Sequence, residues 1–358
     1  MKLSRILRSG LDGPEPRLVA VVPEDGVVVD LVSAERARLE GSGAGREAAL
    51  RLARSLFPGN MTTAIEGGAE FTTAAARAVG AAREAGELPI DDVEWLAAVE
   101  PPMMLDASAF EQHLVNAHAR GKREVPDLFY DVPVYYKMNP RTVLGHGDTV
   151  PWPEGVSFMD YELELAIVIG AAGSDLRPDE ARAHIFGITI MNDFSARDVQ
   201  AREMGSGFGP AKGKDFATGL GPWITTIDEF EGFGDLTMLA RVNGEEWSRG
   251  STSTLTWSLE ELVAYASRSE VVVPGEVIGT GTVGLGCGLE LFRKLQPGDE
   301  VELEIDQVGV LRNVIGEPGT SRWTPETKQR RAQVTLPSRD ESATATGGSA
   351  KGDGRVAD

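Results

Sequence analysis

Glu-Leu-Glu occurs twice in this chain, in MDYELELAIVIG (159–170) and in DEVELEIDQVG (299–309). Strand side chains alternate with period two, so each copy sets two carboxylates on one face. Paired carboxylates can bind divalent metals and do acid–base work, and they also line wet sheet surfaces. The residues that follow separate the two copies. In the second, Val301, Leu303 and Ile305 alternate with Glu302, Glu304 and Asp306 after the surface turn LQPGDE, which describes a strand with one solvated face. In the first, LAIVIG is apolar on both faces. Glu162 and Glu164 therefore enter the interior, where a carboxylate must be neutralised, hydrogen-bonded or bound to a metal.

A second buried-type run, IFGITIMNDFSARDVQ, ends in another acid, Asp193. Three carboxylates on or beside buried strands read as an oxygen-ligand site for Mg²⁺, Mn²⁺ or Ca²⁺. Asp106 is a fourth candidate, just ahead of a helix predicted from a Ser108/Glu111 capping box and a Phe110, Leu114, Ala117 stripe. His113 lies on that helix. Taken alone, Asp106 reads as a loop acid and His113 as an ordinary helix histidine. The Gly-x-Gly-x-Gly of 284–288 lacks the strand–helix context of a phosphate loop and reads as a turn.

The elements that must hold these residues fall into two textures. Up to about residue 100, the runs RLVAVV and GVVVDLV flank the turn PEDG as a hairpin, and Ala- and Arg-rich helical stretches follow. From VEPPMMLDASAF onward, short apolar strands alternate with Gly/Pro turns. The fold class is therefore α+β and β-rich, with an N-terminal α+β domain over 1–100, a second domain over 101–335 and a disordered tail over 336–358. Against 35 Lys and Arg stand 55 Asp and Glu, a formal charge of −20, which argues against nucleic acid or an anionic membrane as partner. The single cysteine, Cys287, leaves no intramolecular disulfide, and no apolar stretch reaches the ~20 residues of a spanning helix. A soluble cytoplasmic protein is expected.

Six stretches, in order, resemble the fumarylacetoacetate hydrolase family: LDASAFEQH, PVYYKMNP, DYELELAIVIG, GITIMNDFSARDVQ, KGKDFATGLGPW and IGTGTVGLGCGLEL. The resemblance covers residues 102–315. It implies a mixed β-sheet or β-roll catalytic domain, a divalent metal on Asp106, Glu162, Glu164 and Asp193, and Lys214 and Thr218 close behind those ligands. It implies His113 as a base oriented by Glu290, Lys214 as a stabiliser of enolate charge, and Tyr136, Arg197, Gln200 and Thr282 as substrate contacts. Ser108 stands where the hydrolase that names the family has a tyrosine, and its downstream arginine has no clean counterpart in Lys122 or Arg123. The implied reaction is hydrolysis of a C–C bond in a 1,3-diketo acid. Other branches decarboxylate or isomerise oxaloacetate- or hydroxymuconate-like diacids, which needs no hydrolytic water. Small-molecule acids as substrate and a homodimer are further implications.

Overall fold

Runs rich in Val, Ile, Leu and Thr become the strands of one long sheet in the computed structural model. Residues 1–10, 13–321 and 323–329 are described. The body spans Met1–Thr320; from Ser321 the described residues form no helix or strand, and the tail expected over 336–358 lies outside the described residues.

Strands β1 (Lys2–Gly10), β2 (Gly13–Val22) and β3 (Val27–Asp30) form an antiparallel meander, with the expected hairpin between β2 and β3. Asp30 closes β3 and caps the next helix by accepting from the amides of Val32 and Ser33. Three longer helices follow, α1 (Leu31–Gly41), α2 (Arg46–Leu56) and α3 (Ala69–Ala82).

Downstream come β4 (Met104–Ala107), α4 (Glu111–Arg120), β5 (Tyr135–Met138), β6 (Leu163–Ile169), β7 (Ile185–Asp193), α5 (Arg197–Met204), β8 (Thr218–Thr226) and β9 (Val277–Gly279). The strands join the meander in one sheet of order β3-β2-β1-β8-β7-β6-β9-β4-β5, in which β9 and β4 pair in parallel and the other neighbours in this order pair antiparallel. Residues 1–100 thus contribute strands to the sheet that carries the acidic residues, through Lys2–Thr225 and Leu3–Ile224.

A second, five-stranded sheet contains β10 (Glu300–Ile305) and β11 (Gly309–Pro318). It packs on one face of β6, where Leu163, Leu165, Ile167 and Ile169 cluster with Met238, Leu303, Ile305 and Leu311. On the other face Ala166 and Val168 pack with Leu31, Phe71 and Ala75 of the helices. Burial on both faces is why LAIVIG does not alternate. Among the described residues no helix is long and apolar enough to cross a membrane.

The register builds the site. On the helix-side face each central strand turns from apolar to polar within two residues: Met104 to Asp106 on β4, Met138 to Tyr136 on β5, Ala166 to Glu164 on β6, Met191 to Asp193 on β7 and Leu220 to Thr218 on β8. Gly279 of β9 sits in register between Ala166 and Asp106. A Cβ there would strike Met191 Cε and lie 2.8 Å from Asp106 Oδ1 and 3.1 Å from Glu164 Oε2, so the missing side chain is what lets the two acids meet.

One local expectation is corrected. Helix α4 starts at Glu111 behind Phe110, with no side-chain cap, so Ser108 does not cap it. The reason is that the backbone here still serves the sheet: Ser108 N donates to Val134 O and Ala109 N to Thr280 O. Asp106 is accordingly a strand residue, with no loop between it and the sheet.

The second Glu-Leu-Glu is a half-wet strand, with Val301, Leu303 and Ile305 buried, Glu302 paired to Arg312 and Glu304 to Arg241. Glu302→Gln and Glu304→Gln should each cost about 1 kcal/mol or less in urea unfolding. Gly279→Ala, which overfills a packed interior, should cost about 1–3 kcal/mol. A Gly279→Ala midpoint equal to that of the starting protein would show that the acidic cluster has slack.

Candidate metal and acid–base site

Asp106, Glu164 and Asp193 sit on three strands and Glu162 directly precedes β6, and one oxygen of each of the four lies within 4.8 Å of the others. All four side chains are buried. The Lys214 ammonium sits against them, donating to Glu162 Oε2 at 2.5 Å and to Asp193 Oδ2. Tyr136 also donates its hydroxyl to Asp193 Oδ2. Glu164 accepts from the Gly281 amide and the Thr282 hydroxyl, both at 3.2 Å. Thr218 is buried directly opposite Asp193 in the β7–β8 pairing.

Charge in this cluster does not balance. Burial, with the charge of Asp193 added, pushes the Asp106 carboxyl up to about 8. Burial likewise pushes Asp193 up to about 6, against the pull of Lys214. Glu164 is raised by burial and by its acidic neighbours. Burial would raise Glu162 too, but Lys214 and Arg197 hold it well below the usual carboxylate range. Burial disfavours the Lys214 ammonium, yet Asp193 and Glu162 more than offset this and raise its pKa, so Lys214 is a fixed cation and no base.

Two oxygens, Asp106 Oδ1 and Asp193 Oδ1, are buried without any hydrogen-bond partner. Orphaned carboxylate oxygens in an over-acidic, all-oxygen cluster fit a hard divalent cation. The donor set is thus consistent with the metal expected from the sequence.

In the metal-free protein, native Asp106 and Asp193 retain protons that the unfolded chain, with aspartates titrating near ~3.9, has already released. The native state then binds more protons than the unfolded one, so stability in EDTA should fall as pH rises from about 5 to about 8. Mn²⁺, binding the ionised cluster, should counter the fall at the upper end. Urea titrations at several pH values test this; a stability that climbs over that range in EDTA would refute it.

Helix α4 places His113 on the wall facing the cluster. His113 Nδ1 lies 2.9 Å from Glu290 Oε2, and Glu290 Oε1 accepts from Asn116 Nδ2 at 2.6 Å and from the Leu285 amide at 3.1 Å. An ionised carboxylate can only accept, so Nδ1 carries the hydrogen and Nε2 is left as the basic nitrogen. Burial would raise the Glu290 carboxyl, but the hydrogen bonds from His113 and Asn116 hold it lowered and therefore ionised. Cys287 lies behind this pair, its thiol 3.4 Å from Glu290 Oε2 and pushed up by burial, so it is a neutral thiol and no nucleophile.

A cavity of about 400 Å³ joins the two parts, lined by Asp106, Glu162, Glu164, Lys214, His113, Tyr136, Gln200 and Thr282 among others. Arg197, expected to face substrate, does not line it. Its Nε donates to Asp160 Oδ2 at 2.7 Å and its NH2 lies 2.8 Å from Glu162, so the guanidinium anchors the acidic wall from behind. Lys122 and Arg123 are exposed and away from the cavity wall.

Sequence reasoning passed over Asp160, which accepts from the amides of Gly288 and Leu289 and ties the Glu290 segment to the acidic strand. Its signal was present: Asp160, Glu162 and Glu164 share the period-two alternation. Asn116, three residues after His113 on one helix face, was legible in the same way. The segment 204–210, which supplies Met204, Phe208 and Pro210 to the cavity, carries no such pattern.

Residues 103–316 match the family described as fumarylacetoacetate hydrolase, C-terminal. The chain is 38% identical over 186 residues to oxaloacetate tautomerase YisK of Bacillus subtilis, a match spanning 51% of this chain and 61% of that protein. It is 32% identical over 265 residues to the human mitochondrial oxaloacetate tautomerase FAHD2A, covering 72% of this chain and 80% of that one. A solved fumarylacetoacetate hydrolase from Exiguobacterium antarcticum superposes with a TM-score of 0.66 at 26% identity, covering 88% of this chain and 99% of that structure. Maleylpyruvate hydrolase from Sphingobium sp. SYK-6 shares the fold, with a TM-score of 0.65 at 22% identity, over 89% of this chain and 100% of that one. These likenesses bear out the β-rich α+β expectation. On the family match and the human relative together, the chain belongs to the fumarylacetoacetate hydrolase family.

Proposed function

We propose that this protein is a divalent-metal-dependent enzyme that moves a proton at C3 of a 2-oxo acid carrying a second carbonyl at C4, interconverting its keto and enol forms. The observation that carries the reading is the His113–Glu290 pair, set across one cavity from the four-carboxylate cluster. The relatives named oxaloacetate tautomerases support it, since oxaloacetate is such an acid.

In this reading His113 Nε2 takes the C3 proton, and Glu290 balances the imidazolium that forms. The proton then returns to the enolate oxygen. Gln200 accepts from Arg197 through Oε1 at 3.1 Å, which leaves its NH₂ to donate to a substrate oxygen. Tyr136 and Thr282 hold Asp193 and Glu164 in place while lining the cavity. Lys214 holds Glu162 ionised together with Arg197, and pulls Asp193 toward the ionised form against its burial. Asp106, Glu162, Glu164 and Asp193 would hold Mg²⁺, Mn²⁺ or Ca²⁺, which when bound supplies Lewis-acid stabilisation of the charge that builds on the 2-oxo oxygen.

Hydrolysis of the C3–C4 bond is a second reading. An enolising base and a water-activating base are the same pair of groups, so the pair alone does not separate the two reactions. What favours hydrolysis is the apolar lining that Phe110, Phe129, Val134, Met204 and Phe208 add to the cavity, which suits a longer acyl chain than a four-carbon diacid carries. Family membership supports a homodimer, and the free, buried Cys287 supports a reducing, cytoplasmic setting.

The test follows enol absorbance of oxaloacetate and of an acylpyruvate with Mg²⁺ or Mn²⁺, alongside chromatography for two carboxylic-acid products. Loss of enol signal without cleavage products means tautomerisation; cleavage products mean hydrolysis. His113→Ala should lower kcat about 10²-fold or more while calorimetric Mn²⁺ binding persists. Glu164→Gln should weaken Mn²⁺ binding and turnover together. Wild-type kcat in His113→Ala would remove the base assignment.

A further inference from the structure

Beside the base lies a thiol that the proposed reaction does not use. The Gly-x-Gly-x-Gly turn of 284–288 folds down on α4: a Cβ on Gly284 would lie 2.8 Å from Gln112 Cβ, and one on Gly288 2.6 Å from Asp160 Oδ1. That close approach brings Cys287 against the His113–Glu290 pair. His113 Nδ1 is 2.9 Å from Glu290 Oε2, and the Cys287 thiol donates to the same oxygen at 3.4 Å. A nitrogen, a sulfur and a carboxylate oxygen thus lie within 4.8 Å of one another, and the thiol and the carboxylate are buried.

This donor set differs in kind from the four carboxylates. Imidazole, thiolate and a single carboxylate suit a thiophilic cation of tetrahedral habit, whereas an all-oxygen cluster suits a hard one. Around such an ion the donor atoms stand about 3.3–3.6 Å apart, so the thiol–carboxylate spacing already fits and the imidazole has only about 0.4 Å to give. Three protein ligands leave a fourth position for water. The other oxygen, Glu290 Oε1, is held by Asn116 Nδ2 at 2.6 Å and the Leu285 amide at 3.1 Å, which keeps Oε2 turned to the other two donors. Asp160 and Glu162 add negative charge around the thiol, and Arg197 opposes them. His113 borders the cavity, which gives an ion its way in.

We propose that His113 Nδ1, Cys287 Sγ and Glu290 Oε2 form a second metal site, selective for a thiophilic divalent cation of the Zn²⁺ and Cd²⁺ class, and that filling it switches off the base. On binding, the thiol releases its proton to solvent. The imidazole hydrogen moves from Nδ1 to Nε2, because Nδ1 now gives its lone pair to the metal. The dication, the thiolate and the carboxylate sum to zero charge. An Nε2 that carries a hydrogen cannot accept one, so the ion inhibits. The binding half stands on the geometry alone; the inhibition half rests on the reading of His113 as the base.

The experiment titrates the full chain with Cd²⁺, the four-carboxylate cluster being kept saturated with Mg²⁺, and follows the ultraviolet charge-transfer absorption that a thiolate ligand gives and oxygen ligands do not. The chain has a single cysteine, so the band reports Cys287 alone. The unaltered protein should show a band that saturates at equimolar Cd²⁺, and Cys287→Ser and Cys287→Ala should both lack it. Asn116→Ala, which frees the Glu290 carboxylate, should weaken Cd²⁺ binding about tenfold, and Glu290→Gln by more. Zn²⁺ added over Mg²⁺ should suppress turnover of the unaltered protein, at about tenfold lower concentration than it needs in Cys287→Ser. Absence of the band, or a Cd²⁺ affinity that Glu290→Gln and His113→Ala leave unchanged, overturns the metal site. Zn²⁺ bound there without loss of turnover overturns the switch. A full Cd²⁺ band in a protein that turns over neither oxaloacetate nor an acylpyruvate upholds the site and overturns the functional reading.

Discussion

Mutual repulsion among four buried carboxylates is the constraint on which the rest of the structure turns. Asp106, Glu162, Glu164 and Asp193 share a space 4.8 Å across, and two lysine and arginine charges are too few to quiet them. Each nearby feature answers that constraint. Lys214 and Arg197 neutralise Glu162, Tyr136 and Thr282 donate to Asp193 and Glu164, and Gly279 withholds a side chain where the acids converge. What remains unanswered is an appetite for positive charge, centred on two oxygens with no protein partner.

The base stands on a different footing. His113 is carried by a helix and Glu290 by a short helical turn, whereas the acids are carried by strands. Asp160 joins the two parts by binding Arg197 on one side and the amides next to Glu290 on the other. The distance between base and cluster is therefore set inside the rigid body of the protein, as proton transfer to a bound substrate demands.

Much of this was legible in the sequence because burial writes itself as lost alternation. LAIVIG after Glu164 marked an interior strand, and alternation through Glu302 and Glu304 marked a surface one; the structure agrees on both. Long-range hydrogen bonding was not legible. The failed Ser108 cap reflects backbone amides claimed by Val134 and Thr280, 26 and 171 residues away in the chain. Arg197 turned inward because Asp160, 37 residues earlier, reaches it first. The strands contributed by residues 1–100 likewise meet the rest through a pairing, β1 with β8, that composition does not announce.

The period-two switch from apolar to polar on β4 through β8 has a consequence for folding. Were β6 to pair one residue out of register, Glu164 would turn to the opposite face, among Met238, Leu303 and Ile305. The side chains gathered there are mainly apolar, and an ionised carboxylate among them would be strongly disfavoured. The charges that equip the site thereby proofread the assembly of the sheet that holds it, so a chain that pairs its strands wrongly cannot settle.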